Sequence, residues 1–588
     1  MRKFLSLLLA LVMVLCCIPA VAETADGVYE GTGAGLNGAI KVSVTVSGGK
    51  ITEVKVLEHS ETAGISDPAI EKIPAAIVEA QSADVDIVSG ATFTSKGIIE
   101  AVKNALNPDE AKEATMPFEQ ADVLVIGAGM AGLATAARAA ELGLNVLVVD
   151  QAATYGGSAN VAGGTLLGAG TRMQKEAGIE DDPDLCFADF VRLGGAGTFN
   201  EEIAREFSQI SGEAVDWLDD LGTDFGDRVP YFGVYQPLNV ARNYSGKGGA
   251  RAFVVSLYAE LEKYFSTNAY MMLNTYVTGL VTNDEGAVIG AKARLADGTE
   301  TTLLAPATVV CTGGYGGSEE LLNKYNFENV LSTSPACVTG DGYAWLEELG
   351  APLTNMDFCT AYAGGIPTSD DFRSFGYFNA TNGALWINTN GERMANETGA
   401  DSHVKSETWA NAPHNIVYTV FSSEMLIPDA KVFSTGAWGS VKEEFDPYVE
   451  SLIEKGLAWK ADTIEELAEK VDLPVDAFKA TIAAYNDGCA NGNDPFGRTK
   501  QEVAMANGPF YAVKTVPYVM ITCGGPMMTK NCEVLNSDGL VIEGVYMAGE
   551  IVGMANVGGR NSIGGMGHGN CLVWGKKAAE VIAAKLGK

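Results

Sequence analysis

The stretch VLVIGAGMAGLATAARAAELGLNVLVVD, from Val123 to Asp150, constrains this chain more than any other. Val123–Ile126 is a short unbroken apolar run, the pattern of a strand buried on both faces. It turns at Gly127-Ala128-Gly129-Met130-Ala131-Gly132 straight into an alanine-rich helical segment, and Val146–Val149 repeats the buried-strand pattern before Asp150. In this order the glycines serve a tight turn, the approach of a pyrophosphate to the helix N-terminus and close helix packing. Asp150 can accept both hydroxyls of a ribose. The unit predicts a dinucleotide site on a parallel sheet, and by itself it does not choose between FAD and NAD.

The full 588 residues leave room for about two to four domains, and 47% hydrophobic against 19% charged residues suits sizeable cores. Acids outnumber bases 74 to 40, a formal charge of −34. Such a chain repels nucleic-acid backbones and anionic lipid, and its acidity reads as solubility. Residues 1–22 read as an export signal: Arg2 and Lys3, an apolar run from Phe4 to Ile18, and small Ala20-Val21-Ala22. Leu15 before Cys16 speaks against a lipid anchor, so the protein is expected outside the cytoplasm or on the cell envelope. None of the cysteines after the signal is spaced as CxxC, and only four histidines are present, so no metal is expected.

Residues 24–107 read as a small α+β unit. Alternating strands at Gly27–Gly31, Ile40–Val46 and Ile51–Leu57 precede helices near Ala69–Gln81 and Lys96–Leu106. Between the helices lies DIVSGATFTS, Asp86 to Ser95, an acid, a glycine turn and two threonines just ahead of a helix start that favours phosphate. Asp86, Ser89, Gly90, Ala91, Thr92 and Thr94 resemble the flavinylation motif of FMN-binding domains, in which a flavin transferase esterifies FMN phosphate to a threonine. The resemblance makes Thr94 the acceptor, with Thr92 in reserve, and FMN a covalent phosphoester.

Residues 108–120 read as a linker. Beyond it, Gly156-Gly157-Ser158, Cys311-Thr312-Gly313-Gly314, Thr339-Gly340-Asp341-Gly342 and Ala548-Gly549-Glu550 resemble the fumarate reductase/succinate dehydrogenase flavoprotein family over residues 119–588. The arrangement is most similar to exported fumarate and urocanate reductases that carry an N-terminal FMN domain. The resemblance implies an α/β fold: a Rossmann-like two-dinucleotide-binding FAD domain (119–356 and 522–588) with an inserted α+β capping domain (357–521). It implies non-covalent FAD at Gly127, Ala128, Gly129, Ala131, Gly132, Asp150, Gly156, Gly157, Ser158, Gly313, Gly314, Asp341, Gly549, Glu550, Ser562 and Ile563. The run Asn388 to Glu397 resembles one in the cap, where Arg393 and Glu397 read as a buried ion pair.

Fumarate needs cations around its carboxylates. The family's arginine and histidine positions fall here on Asp401, Ile521, Ser562 and Tyr362, so a dicarboxylate clamp is missing. Arg560, two residues from Ser562, can supply one cation. The expected acceptor is an activated alkene, an enone or a mono-enoate. Candidate proton donors are Tyr362, His403 beside Asp401, and Lys405. Tyr244 lines the pocket or packs, His568 sits in a glycine-rich turn near the flavin, and His59 and His414 read as bystanders. The resemblance further implies an upstream membrane or extracellular flavin or quinol donor. Gly564-Gly565-Met566-Gly567-His568-Gly569 resembles ketosteroid dehydrogenases, leaving the reverse reaction, and an electron carrier without its own substrate, as alternatives.

Overall fold

A computed structural model describes residues 25–34, 39–59, 61, 66–88, 91–106, 116–232, 238–325, 328–377, 381, 383–398, 407–436, 439–498 and 503–588. They fall into two compact units, divided between Thr115 and Met116.

In the first unit β1 (Gly27–Ala34), β2 (Ala39–Ser47) and β3 (Lys50–Glu58) form an antiparallel meander in that order. The alternation in β2 sends Ile40, Val42, Val44 and Val46 into the core, none more than 4% exposed. There they meet Ile73 and Ile77 of α1 (Asp67–Ala80) and Ile98 and Val102 of α2 (Thr92–Leu106). α2 starts at Thr92, ahead of the expected Lys96. Ser95 Oγ donates to Ala91 O (2.8 Å) and accepts from the Val88 amide (3.1 Å), which winds the chain early. The threonines of the decapeptide therefore lie in the first helical turn, not before it.

The second unit is built on a six-stranded sheet. β4 (Val123–Ile126), α3 (Met130–Glu141), β5 (Val146–Val149), β6 (Ala269–Met272) and β7 (Ala307–Val310) supply its centre. The order is Glu533–Leu535, β10 (Val541–Met547), β7, β4, β5, β6, parallel from β10 to β6, with the Glu533–Leu535 edge antiparallel. Strand alternation splits the apolar runs between two cores. Val123, Val125, Val146 and Val148 face α3 and the C-terminal helix Met566–Lys585; Leu124, Ile126, Leu147 and Val149 face Val277, Ala291 and Ala293. Both faces are covered, which is why no polar residue interrupts these strands.

Residues 357–521 build most of a second, nine-stranded sheet around β8 (Cys359–Ile366) and β9 (Phe510–Thr522), with three helices over its own core. This sheet also takes in Leu331–Ser332, which pairs in parallel with β9, so it reaches back across the expected start of the cap. Arg393 grips Glu397 through two bonds of 2.8 and 2.7 Å, with Asp494 and Arg498 completing a buried, charge-balanced cluster. That is a fastening of the cap, as a buried pair in a hairpin requires.

Candidate active site

The C-terminal ends of β4, β5 and β7 open onto a cleft, and the three fingerprint glycines shape it for different reasons. Gly127 has φ 110°, and a Cβ there would lie 2.3 Å from the Cys311 carbonyl oxygen at the end of β7. A Cβ on Gly132 would sit 1.7 Å from the Gly127 oxygen. Gly129 is different: its backbone is extended (φ −72°, ψ −175°), and a Cβ would meet nothing within 4 Å. The fold has no need of a glycine at 129, but a ligand approaching the start of α3 does.

Beside this turn, Gly156 has φ 106° and donates from its amide to Ala128 O at 2.7 Å; Gly157 and Ser158 line the same cleft. Asp150 holds the Ala128 amide with Oδ2 (2.6 Å) and the Ala152 amide with Oδ1 (2.7 Å). Each oxygen keeps a lone pair for a ribose hydroxyl. Burial raises its pKa, with the two amides pulling the other way. Gly313, with φ 78°, and Asp341 close the far wall, and Asp341 accepts from Tyr276 Oη (3.1 Å) and Thr339 Oγ1 (2.9 Å). Thr312 Oγ1 is buried at the cleft with no hydrogen-bond partner among the described residues. An orphaned hydroxyl, an open glycine at a helix N-terminus and a recessed carboxylate fit the donor and acceptor needs of an adenine dinucleotide such as FAD.

Gly549 and Glu550 knit the cleft to the cap strand. Gly549, at φ 99°, lets the loop cross the first turn of α3, where a Cβ would be 2.8 Å from Ala131 Cβ. Glu550 accepts from the Thr522 amide (2.9 Å) and hydroxyl (2.7 Å), and a Cβ on Gly314 would strike its carboxylate at 2.2 Å. Burial lifts the Glu550 pKa, with the Thr522 bonds opposing. A carboxyl whose pKa is raised on folding stabilises the fold below its ordinary value of 4.5, and that stabilisation is lost as pH rises through the raised value. Glu550→Gln keeps an acceptor for Thr522 and removes the buried charge. Without added flavin, it is expected to melt above the wild type at neutral pH. The two melting temperatures should converge in acid; a constant gap across pH would contradict the assignment.

Sequence reasoning missed Gln151, Tyr276, Cys337 and Trp345, which also line the cleft. They follow no motif; only the rule that ligands sit at the C-terminal edge of a parallel sheet points to the chain after β5, β6 and β7.

Of the positions expected to face substrate, Tyr362, Ile521 and Ser562 lie where β8 and β9 meet the flavin domain. Thr360 Oγ1 lies 3.2 Å from Ser562 Oγ and 3.5 Å from Cys523 Sγ. Ile521 pairs with Thr360, and its Cδ1 would be 3.0 Å from a Cβ on Gly567. Tyr362 pairs with Tyr518 across the strands, ring centroids 5.4 Å apart, and Tyr518 lies 5.1 Å from Phe375. Ser562 and Ile563 are both buried. Arg560 is exposed, bonds Asp357 at 2.7 Å and holds its guanidinium 5.1 Å from the Phe358 ring centroid. Asp401, His403 and Lys405 lie outside the described residues.

Two candidates are moved by the structure. Tyr244 is 2% exposed in the main core; its hydroxyl shares a 2.6 Å bond with Thr171 and reaches Gly168 O at 3.2 Å, which makes it a packing residue rather than a pocket group. His568 lies with Nδ1 2.8 Å from Thr165 O and its ring edge-on to Phe253, and burial lowers its pKa, so it is held neutral.

In the first unit Asp86 is exposed and Ala91 is buried. Thr94 is 4% exposed and its hydroxyl donates to the carboxylate of Glu61. Ser89 and Gly90, like the Thr92 side chain, lie outside the description.

Residues 122–567 match the FAD binding domain family. The chain belongs to that family. Residues 35–107 match the FMN-binding domain, so this flavoprotein joins the two modules in one chain. It is 28% identical over 632 residues to an NADH:acrylate oxidoreductase from Vibrio harveyi, an alignment covering 94% of this chain and 61% of that protein. It is 28% identical over 579 residues to a urocanate reductase from Eggerthella lenta, covering 95% and 92%. Among solved structures it resembles the open conformation of a flavocytochrome c3 fumarate reductase, with TM-score 0.60 and 26% identity over 85% of this chain and 84% of that one.

Proposed function

We propose that the chain is an exported FAD-dependent oxidoreductase that takes electrons through a covalently held FMN and reduces an activated carbon–carbon double bond. The acceptor is an enone or an enoate with one carboxylate. FAD, when bound, supplies hydride chemistry; the protein places the acceptor and steadies the negative charge that develops on it. The named activities of the relatives, reduction of acrylate and of urocanate, support the reaction class.

One observation carries the choice of acceptor. Tyr362, Ile521 and Ser562, which the resemblance sets at the cation positions, carry no charge, and Arg560 is the cation that the described residues bring to this cluster. Among the described residues, a second buried carboxylate would find no cation there. Leaving a buried charge unpaired costs about 3 kcal/mol, roughly 100-fold in affinity or rate. Arg560 can meet a single carboxylate by exchanging it for Asp357, which the exposed geometry of that pair permits.

The test is anaerobic turnover with reduced viologen against a panel of enones, mono-enoates and fumarate. A kcat/KM for the best enone or mono-enoate about 100-fold above fumarate is expected; preference for fumarate would overturn the reading. Arg560→Ala is expected to raise KM for a mono-enoate by about tenfold while leaving an enone unaffected. Equal effects on both would show that Arg560 acts through packing on Phe358.

A further inference from the structure

Threonines in the first turn of a helix ordinarily return their hydroxyl to a nearby backbone carbonyl. In α2 that role belongs to Ser95, whose Oγ donates to Ala91 O at 2.8 Å. Thr94 does something else. It sends its hydroxyl across the unit to the carboxylate of Glu61, 33 residues earlier in the chain and just beyond β3. Both residues are more than nine-tenths buried, at 4% and 8% exposure. The backbone there is held in turn by His59, whose Nδ1 accepts from the Glu61 amide at 3.2 Å.

A hydroxyl bonded to a carboxylate is the arrangement of a weak nucleophile with its base. We propose that Glu61 accepts the proton of Thr94 as FMN is attached. This rests on the reading of Thr94 as the flavin acceptor. In the step, Thr94 Oγ forms a bond to the FMN-side phosphorus of FAD presented by a flavin transferase. The bond from that phosphorus to the bridging oxygen breaks, AMP leaves, and the hydroxyl proton passes to Glu61. A phosphoanhydride is exchanged for a phosphodiester, AMP carries away the bridging oxygen, and no electrons change hands. With the hydroxyl hydrogen on Glu61, the lone pairs of Oγ are left to form the bond to phosphorus.

A purely structural role for the pair makes a different forecast. Glu61→Gln keeps an oxygen that can accept from Thr94 and loses only the basicity. Full-length chain made without transferase is incubated with purified transferase, Mg²⁺ and FAD, and covalent flavin is followed by in-gel fluorescence and mass. E61Q is expected to keep the wild-type melting temperature and the wild-type KM for FAD, while the maximal rate of attachment falls on the order of 100-fold. An unchanged rate in E61Q overturns the proposal. Should E61Q fail to fold, Glu61→Asp carries the test: its carboxylate is withdrawn by one methylene, and slower attachment at unchanged melting temperature is expected, wild-type speed being the overturning result. Failure of the underlying reading looks different, since it would show as covalent flavin retained by Thr94→Ala, or as none on the wild type.

Discussion

Thr94→Ala is expected to take covalent flavin from stoichiometric to none while leaving FAD on the second unit. The hydroxyl is the only atom lost that could form a phosphoester at this position, and Thr94→Ser, which restores it, is expected to restore attachment. Alanine also deprives a buried carboxylate of a donor, because Glu61 is 8% exposed and holds the Thr94 hydroxyl. That loss costs about 1–3 kcal/mol, so the first unit of the variant should melt earlier, and the serine variant should not. Flavin remaining with the denatured chain, separated from flavin released on acid precipitation, distinguishes the two cofactors. Reduction by viologen should persist in the alanine variant, and turnover with a donor that acts through FMN should vanish. Covalent flavin surviving the substitution would move the acceptor elsewhere.

How far the sequence could be read depended on whether a residue answers to its neighbours in the chain or to distant ones. Gly127, Gly132 and Asp150 answer to a local strand–turn–helix–strand geometry, and their spacing alone reveals their work. Tyr276 and Cys337 reach the same cleft through the order of the sheet, which places β6 beside β5 and the loop before α4 (Asp341–Glu348) over their ends. No local pattern encodes that. The start of α2 was misplaced although its cause is local: Ser95 bonds Ala91 four residues back and Val88 seven residues back, which winds the turn ahead of Lys96. For Tyr244 the sequence left pocket lining and packing both open; the partners that decide for packing, Thr171 and Gly168, come from over 70 positions away. Arg560 could be singled out as a cation near Ser562, while its partner Asp357, 203 positions earlier, could not. Glu61 gave no signal at all, since its meaning lies wholly in Thr94.

The fingerprint glycines offer the second large effect, and a contrast that separates fold from ligand. Gly132→Ala places a methyl where the Gly127 carbonyl oxygen stands 1.7 Å away and its carbon 2.9 Å away, both backbone atoms with no rotamer to escape into. Relief requires α3 to move off the turn, and overpacking of this kind costs about 1–3 kcal/mol or more. The displaced helix takes the start of the phosphate site with it, so both the melting temperature and the bound FAD should fall, the latter to undetectable levels. Gly129→Ala meets none of these obstacles: its φ and ψ suit any residue, and the added methyl enters open space. The flavin-free melting temperature should therefore stay at the wild-type value or rise slightly, because alanine loses less backbone entropy on folding. FAD affinity should nonetheless fall at least about tenfold, equivalent to about 1.4 kcal/mol, as the methyl stands where the pyrophosphate approaches. Melting curves with and without FAD, read beside an equilibrium titration of flavin fluorescence, measure both quantities. Wild-type FAD affinity in Gly129→Ala would mean that the dinucleotide does not cross the start of α3, and the open side of that turn would then need another occupant.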